Sequence, residues 1–356
     1  MRIALIASPF IRVPPKKYGG TELFISQLAA GLTRLGVDVV VYANGESTVN
    51  ATLRWRYPKD DWPIDDEMDS NLKELDHTSW SVSDCWQDAD VIHLNSAPCL
   101  VFSRLRGPRW VYTLHHPHVP SLSTFYAGFP NVEFVAISNF QKENEPLKRI
   151  HTIHHGIDLG PYRLQTKKAE YLSFLGRIAP IKGVHNAIEI AKRSGIPLKI
   201  AGEVQPMYRE YFDSCVKPHV DGKFIEYVGE ADLALKNELL GNSMAMLFPI
   251  EWDEPFGLVM VEAMATGTPV IAFPGGSVAE IVRDGISGFV CSGVEDAVAR
   301  VRDVQTIKPA AVRAYAQQFF SAERMVQDYL SLYRAMCVEV EAGSVEDRNL
   351  GSQTAA

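Results

Sequence analysis

Three features of this 356-residue sequence predict an α/β chain of two doubly wound domains with parallel sheets. Short apolar runs of β type alternate with segments of helical periodicity, as expected of strands joined by crossover helices. The alternation stops near 156–170, where GIDLGPYRLQTKKAE contains Gly and Pro and is weakly periodic, and then starts again. The chain is also longer than one hydrophobic core usually serves. We therefore place an N-terminal domain at 1–160 and a second at 161–320, two similar halves with a cleft between them.

In the first half RIALIAS reads as a strand. A helical pattern follows, with Phe24, Leu28, Leu32 and Leu35 spaced 4, 4 and 3, and then the strand VVVYA. Residues 57–76, YPKDDWPIDDEMDSNLKELD, are acidic and contain Pro, which suits a surface excursion. Three more strand-like runs complete this half: VIHLN (91–95), WVYTL (110–114) and EFVAIS (133–138). The second half runs through YLSFLG, a helix over VHNAIEIAKRSG, LKIAG, a helix near 206–217, FIEYVG and a helix near 232–241. AMLFPI, a helix after EPFG, PVIAF and GFVC follow. Beyond 304, RAYAQQFF and ERMVQDYLSLYRAM are helical in pattern. The last stretch, 341–356, is polar and poor in apolar residues, and disorder is expected there.

Composition narrows the function classes. Hydrophobic residues at 46% and charged residues at 22% exclude disordered and fibrous chains. No apolar run is long enough to span a membrane, and MRIALIASPF is too short for a secretory leader, so a cytoplasmic protein is expected. A net charge of -8 offers no basic face for nucleic acid or anionic lipid. The five cysteines are scattered without C-x-x-C, which suits free thiols rather than a zinc site or disulfide framework.

In doubly wound sheets ligands bind beyond the carboxyl ends of strands, often against helix N-termini that favour anions. After the first strand, SPFIRVPPKKYGGTE carries Gly19 and Gly20 before a helix; the pair lets backbone approach a bulky anion, or makes an ordinary turn with Thr21 as N-cap. Neither a dinucleotide fingerprint nor a G-x-x-x-x-G-K-[ST] loop is present. In FLGRIAPIKGV a strand runs into Arg177 and Lys182, either two fixed cations for a diphosphate or a solvated surface pair. In EWDEPFGLVMVEAMATGTPV, Glu254 precedes a helix and Glu262 lies within it. If both were helical, eight positions would separate them by roughly 12 Å. A retaining hydrolase pair stands about 5 to 5.5 Å apart, so such a dyad is disfavoured. An anion at the helix start, with a hydroxyl-bearing group on each side, fits better; a nucleotide sugar has that form. His115, His116 and His118 without a carboxylate partner read as polar loop residues rather than a metal site. Asp88 and Asp90 read as capping or surface residues, and Ser277 with Glu280 as a capping box.

The motifs E-P-F-G-L-x-x-x-E and G-R-x-x-x-x-K-G, with the early G-G, VAIS and HHGID, resemble the retaining glycosyltransferases of family 4, the glycogen-synthase-like group of GT-B fold. The likeness covers roughly 2–338. It implies two Rossmann-like domains facing a cleft, with a helix at 321–338 returning to the first. It implies that Arg177 and Lys182 neutralise the donor diphosphate, that Glu254 contacts the transferred sugar and that Glu262 holds the ribose. Backbone around Phe256, Gly257, Leu258 and Val259 would bind sugar and phosphate, with Gly19 and Gly20 closing from the other domain. His115, or failing that His116, would stand at the sugar's reacting face. Ser138 and Asn139 would be interdomain, and Tyr227 and Val228 near the base. The implied activity is metal-independent transfer of a hexosyl group from a nucleotide-diphosphate sugar, UDP by default and GDP or ADP otherwise. The acceptor hydroxyl belongs to a small molecule, a glycan or a lipid-linked group, with peripheral membrane association left open. An epimerase on the same fold and a non-catalytic nucleotide-sugar-binding protein are the alternatives.

Overall fold

The computed structural model describes residues 1–16, 19–61, 67–105 and 107–351, apart from the side chains of Glu67 and of 339–351. The first sheet contains β1 (Arg2–Ile6), β2 (Asp38–Tyr42), β3 (Thr52–Arg54), β4 (Val91–Leu94), β5 (Arg109–Leu114), β6 (Val132–Ala136) and β7 (Ile150–Thr152). All pairs are parallel, in the order β3-β2-β1-β4-β5-β6-β7. The second contains β8 (Leu172–Leu175), β9 (Leu198–Ala201), β10 (Ile225–Tyr227), β11 (Ala245–Phe248), β12 (Val270–Ala272) and β13 (Gly288–Val290). It too is parallel, in the order β10-β9-β8-β11-β12-β13. Helices cover both faces of each sheet, which is why Ile3, Ala4, Leu5 and Ile6 are all buried despite the alternation of a strand.

The chain reverses its direction of winding between β1 and β4, and again between β8 and β11. Crevices at such switch points receive ligands. Consequently the loops after Ile6, Leu94, Leu175 and Phe248 flank the crevices where a ligand is expected.

Two connections join the halves. Beside Gly156, Ile157 donates its amide to Phe320 O at 2.9 Å, and Ala322 N donates back to Ile157 O at 2.8 Å. The helix Ala322–Gly351 then returns to the first domain, where Met325, Val326, Tyr329 and Tyr333 share a core with Leu28, Leu32 and Val91. A buried polar chain fixes its register: His93 bonds Tyr333 Oη at 2.7 Å and Thr113 Oγ1 at 2.8 Å, and Thr113 bonds Tyr329 Oη at 2.8 Å. This helix continues to Gly351, into the polar segment expected to lack structure; 352–356 lie outside the described residues.

The expected strands are all present, with differences elsewhere. The acidic stretch 57–76 is not wholly an excursion, because a helix begins within it and runs over Glu67–Cys85, burying Glu74 and His77 against the sheet; 62–66 lie outside the described residues. The helix expected near 206–217 is a succession of short turns, Pro206–Tyr208, Arg209–Tyr211, Phe212–Val216 and Lys217–His219. Pro206 opens this run, where its missing amide costs nothing, and Pro218 lies in its last 3₁₀ turn. Asp88 and Asp90 serve the N-terminus: Asp90 Oδ2 accepts Arg2 N at 2.8 Å and Asp88 Oδ2 pairs with the Arg2 guanidinium at 3.3 Å. Among the described residues no cysteine is in a disulfide, and no helix is long and apolar enough to cross a membrane.

Candidate active site

The strand ends of both sheets open on one cavity of about 580 Å³. From the second domain, β8 leads through Gly176 to Arg177, and a 3₁₀ turn over Pro180–Lys182 brings Lys182 back to the same wall. Gly183, in the left-handed region at φ 70°, then starts the helix Val184–Ser194. β11 leads into 249–257, and Gly257, at φ 82°, opens the buried helix Leu258–Ala265. The two loops are joined by Glu251 N donating to Ile181 O at 2.9 Å.

Their side chains meet. Lys182 Nζ donates to Glu254 Oε2 at 2.5 Å and lies 4.3 Å from the centre of the Trp252 ring, while Trp252 Nε1 donates to the same Oε2 at 2.9 Å. Burial lowers the Lys182 ammonium below its ordinary pKa, Glu254 opposes that, and Arg177 adds to it. Arg177 itself is under-used: Nε is buried with no hydrogen-bond partner among the described residues, and Nη1 reaches only Gln205 Oε1 at 3.5 Å. An unspent guanidinium donor beside a desolvated ammonium is a prepared anion site.

Ten of the residues given a site role from sequence line this cavity: Gly20, His115, His116, Arg177, Lys182, Glu254, Phe256, Gly257, Leu258 and Val259. Gly19, Glu262, Tyr227 and Val228 do not. Gly19 lies one residue behind the wall as the N-cap of the helix Gly20–Arg34, so Thr21 is inside the helix and not its cap. Glu262 is buried and accepts from Tyr162 Oη at 2.8 Å and Lys236 Nζ at 2.7 Å; Lys236, not Glu262, reaches the cavity wall. Val228 packs against the core of the second domain, and Tyr227 Oη donates to Gly202 O at 2.8 Å.

On the first domain's side, Asn95 follows β4 and His115 follows β5. Asn95 Nδ2 donates to Ile6 O at 3.0 Å, which turns Oδ1 towards His115 Nε2 at 2.9 Å. His115 therefore donates through Nε2 and presents Nδ1 as a bare acceptor. Burial holds its pKa well below the ordinary histidine value, with the nearby His155, His116 and His93 adding to the effect. His155 stacks on it, ring centres 5.5 Å apart at 19°, and also lines the cavity. Burial pushes His155 down to about 3, Arg324 and His154 contributing. In the sequence His155 stands out only as part of HHGID, and Asn95, Trp252 and Lys236 do not stand out at all. The position of Asn95 and Trp252 just beyond strand ends was the available signal.

Four buried histidines make stability pH-dependent. His93 and His155 sit at about 3, His77 at about 4, and His115 is also depressed, all chiefly by burial. Between the ordinary value near 6.5 and these depressed values, the unfolded chain binds protons that the folded chain does not. Stability therefore falls on acidification through that window, by up to about 1.4 kcal/mol per pH unit for each group. Glu22, pushed up to about 7, and Glu74, to about 6, both by burial, act in the opposite direction but are outnumbered. The unfolding temperature is expected to drop steadily from pH 7 to 5; a rise would contradict the burial of these imidazoles.

Ser277 and Glu280 do not form a capping box. The Ser277 hydroxyl donates to Phe256 O at 2.9 Å, and its own φ and ψ of -75° and -4° are helical rather than those of an N-cap. Glu280 instead accepts amides from Asn139 and Phe140 of the other domain, which also places Ser138 and Asn139 at the interdomain contact. His118 Nδ1 bonds Glu145 at 3.0 Å as a loop residue. Among the described residues no group of three or more His, Cys, Asp or Glu is arranged to hold a metal ion.

Comparison with known proteins gives this site its family. The model of "Glycosyl transferases group 1" matches residues 163–318, and that of "Glycosyltransferase Family 4" matches 18–160. A glycogen synthase of Mycobacterium tuberculosis is 32% identical, over 92% of this chain and 91% of the relative. The chain belongs to the group 1 glycosyltransferases. A glycosyltransferase involved in avilamycin A biosynthesis has the same fold, with a TM-score of 0.73 at 23% identity over 95% of this chain and 98% of that one. The Anabaena protein HepE, solved with UDP and glucose, gives a TM-score of 0.73 at 16% identity over 94% and 100%. The two sheets facing one cleft are thus the GT-B fold of a transferase.

Proposed function

We propose that this glycosyltransferase moves a hexosyl group from a nucleotide-diphosphate sugar to a hydroxyl acceptor, with retention of configuration and without a metal. The observation that carries the reading is the meeting of Arg177, Lys182 and the start of helix Leu258–Ala265 in one interdomain cavity. As the bond from sugar to diphosphate breaks, negative charge grows on the leaving oxygens. Two fixed cations and a helix N-terminus stabilise that charge more in the transition state than before it. The acceptor hydroxyl attacks on the face the diphosphate leaves, and the leaving phosphate takes its proton. Glu254 holds sugar hydroxyls beside Lys182. The ribose meets the wall at Lys236, which Glu262 holds in place from behind. His115 stays neutral and offers Nδ1 at the reacting face.

UDP is the default nucleotide, a choice supported by the UDP and glucose bound by the Anabaena relative. GDP and ADP are the others. The acceptor, a small molecule, glycan or lipid-linked hydroxyl, meets the first domain's side of the cavity, and we place the reaction in the cytoplasm.

A thermal-unfolding panel of UDP-, GDP- and ADP-glucose, each with and without excess chelator, tests this. A ligand at a hundredfold excess over its dissociation constant stabilises the folded state by about 2.7 kcal/mol. One nucleotide class is expected to raise the unfolding temperature equally in chelator. Stabilisation that requires Mn²⁺ or Mg²⁺ overturns the metal-free reading, and no stabilisation by any member at millimolar concentration overturns the donor class.

A further inference from the structure

We propose that Glu280 is a positioning residue that links docking of the two domains to the placement of His115. The proposal rests on the reading of His115 as a residue of the reacting face. Glu280 lies on the short helix Val278–Ile281 of the second domain, and its carboxylate crosses to the first. Oε2 accepts the Asn139 amide at 2.8 Å and bonds His154 Nε2 at 2.7 Å, and Oε1 accepts the Phe140 amide at 2.7 Å. Those amides open the helix Asn139–Asn144, where the first turn has no partners of its own. Ser138 Oγ accepts the next amide, from Gln141, at 3.1 Å. The helix start is thus capped partly from within and partly from the opposite domain.

From there the connection to His115 is direct. Gln141 Nε2 donates to Leu114 O at 3.1 Å and His116 O at 2.6 Å, the carbonyls on either side of His115, while its Oε1 accepts Ile137 N at 2.8 Å. A second route passes through His154, whose neighbour His155 stacks on His115. On the donor side, the segment that carries Glu280 begins at Ser277, which donates its amide to Glu254 O at 2.9 Å and its hydroxyl to Phe256 O at 2.9 Å. One carboxylate therefore stands on the segment that holds the Glu254 loop and grips the helix that holds the His115 loop.

Glu280 does not line the cavity. Its effect must pass through these bonds. Burial on its own would raise its carboxyl pKa; the bonds from His154, Phe140 and Asn139 more than offset this and hold it below the ordinary glutamate value, so it is ionised at neutral pH. A charged acceptor with two oxygens suits two amides and an imidazole, and charge-assisted bonds of this kind are the stronger class. Alanine removes every one, whereas glutamine keeps a single acceptor oxygen.

The test uses the full chain as wild type, E280Q and E280A, with hydrogen exchange followed over 137–142. The Asn139 and Phe140 amides are expected to exchange about tenfold faster in E280A, with E280Q between it and the wild type. UDP affinity by calorimetry should stay within about threefold, since the donor cations lie elsewhere. For whichever of UDP-, GDP- or ADP-glucose stabilises the wild type most, hydrolysis should lose on the order of tenfold in kcat with KM unchanged. Unchanged exchange in E280A overturns the contact itself, and a loss of UDP affinity as large as the loss of turnover overturns the positioning role. His115→Ala with undiminished hydrolysis overturns the reading of His115 instead, an outcome the exchange data do not mimic. Should E280A not fold, the same comparisons are made on E280Q.

Discussion

Replacing Arg177 or Lys182 by alanine is expected to abolish measurable binding of UDP and lower transfer on the order of 10²- to 10³-fold. Both cations face the same cavity, and Arg177 is not spent on a structural partner. The two variants should differ in stability. Arg177 has an unpaired Nε and one long contact, so its removal leaves little unsatisfied. Lys182 neutralises Glu254, a pair in which both side chains are largely buried, at 14% and 10% exposed. Removing one partner of such a pair typically costs about 3–5 kcal/mol, because the remaining charge is stranded. Lys182→Ala should therefore melt earlier than Arg177→Ala, while both lose UDP binding by calorimetry. Wild-type affinity in either variant would remove that residue from the anion site.

Gly183→Ala is expected to be nearly as damaging, through the fold rather than the chemistry. Gly183 sits at φ 70°, and a Cβ there would stand 1.8 Å from Pro249 O. The left-handed conformation alone costs an L-residue roughly 1–2 kcal/mol. Backbone overlap on that scale must be relieved by moving β11's exit loop, which carries the total beyond about 4 kcal/mol. For a domain of this size that corresponds to a fall of about 10 °C in the unfolding temperature. The same helix supplies its own control. Gly195, at its other end, has the same φ of 70°, and a Cβ there would meet nothing within 4 Å, so Gly195→Ala should lose only the conformational part. Equal melting of the two variants would refute the close approach at Pro249, and with it the account of how Lys182 is brought beside Glu254.

The candidate site was legible where function depends on a local motif. The spacing of Arg177 from Lys182 and of Glu254 from Glu262 placed two cations at one strand end and two carboxylates about a helix start, and the structure brings Arg177, Lys182 and Glu254 to one wall. It was not legible where a side chain's partner is distant in the chain. Glu254 was expected to face sugar hydroxyls, and its partner Lys182, 72 residues away, was not foreseen. Ser277 and Glu280 matched a capping box because the pattern S-x-x-E carries no record of whether a helix is long enough to need one. The edge strands β3 and β7 went unread because TLR and IHT contain no buried residue and no apolar run, whereas the equally short β10, β12 and β13 lie in apolar runs.

The sequence by itself determined the two parallel sheets, the restart between them, the family and the part of the cavity wall built from Arg177, Lys182 and the stretch from Glu254 to Val259. Apolar periodicity and glycine placement act on neighbours a few residues apart, so they can be read along the chain. Tertiary structure alone decided that Asn95 sets the tautomer of His115, that His155 stacks upon it, that Lys236 stands between Glu262 and the cavity, and that Glu280 caps a helix 140 residues away. Those contacts arise when packed cores carry remote strand ends into register, and their energy depends on burial and direction, which no local pattern encodes.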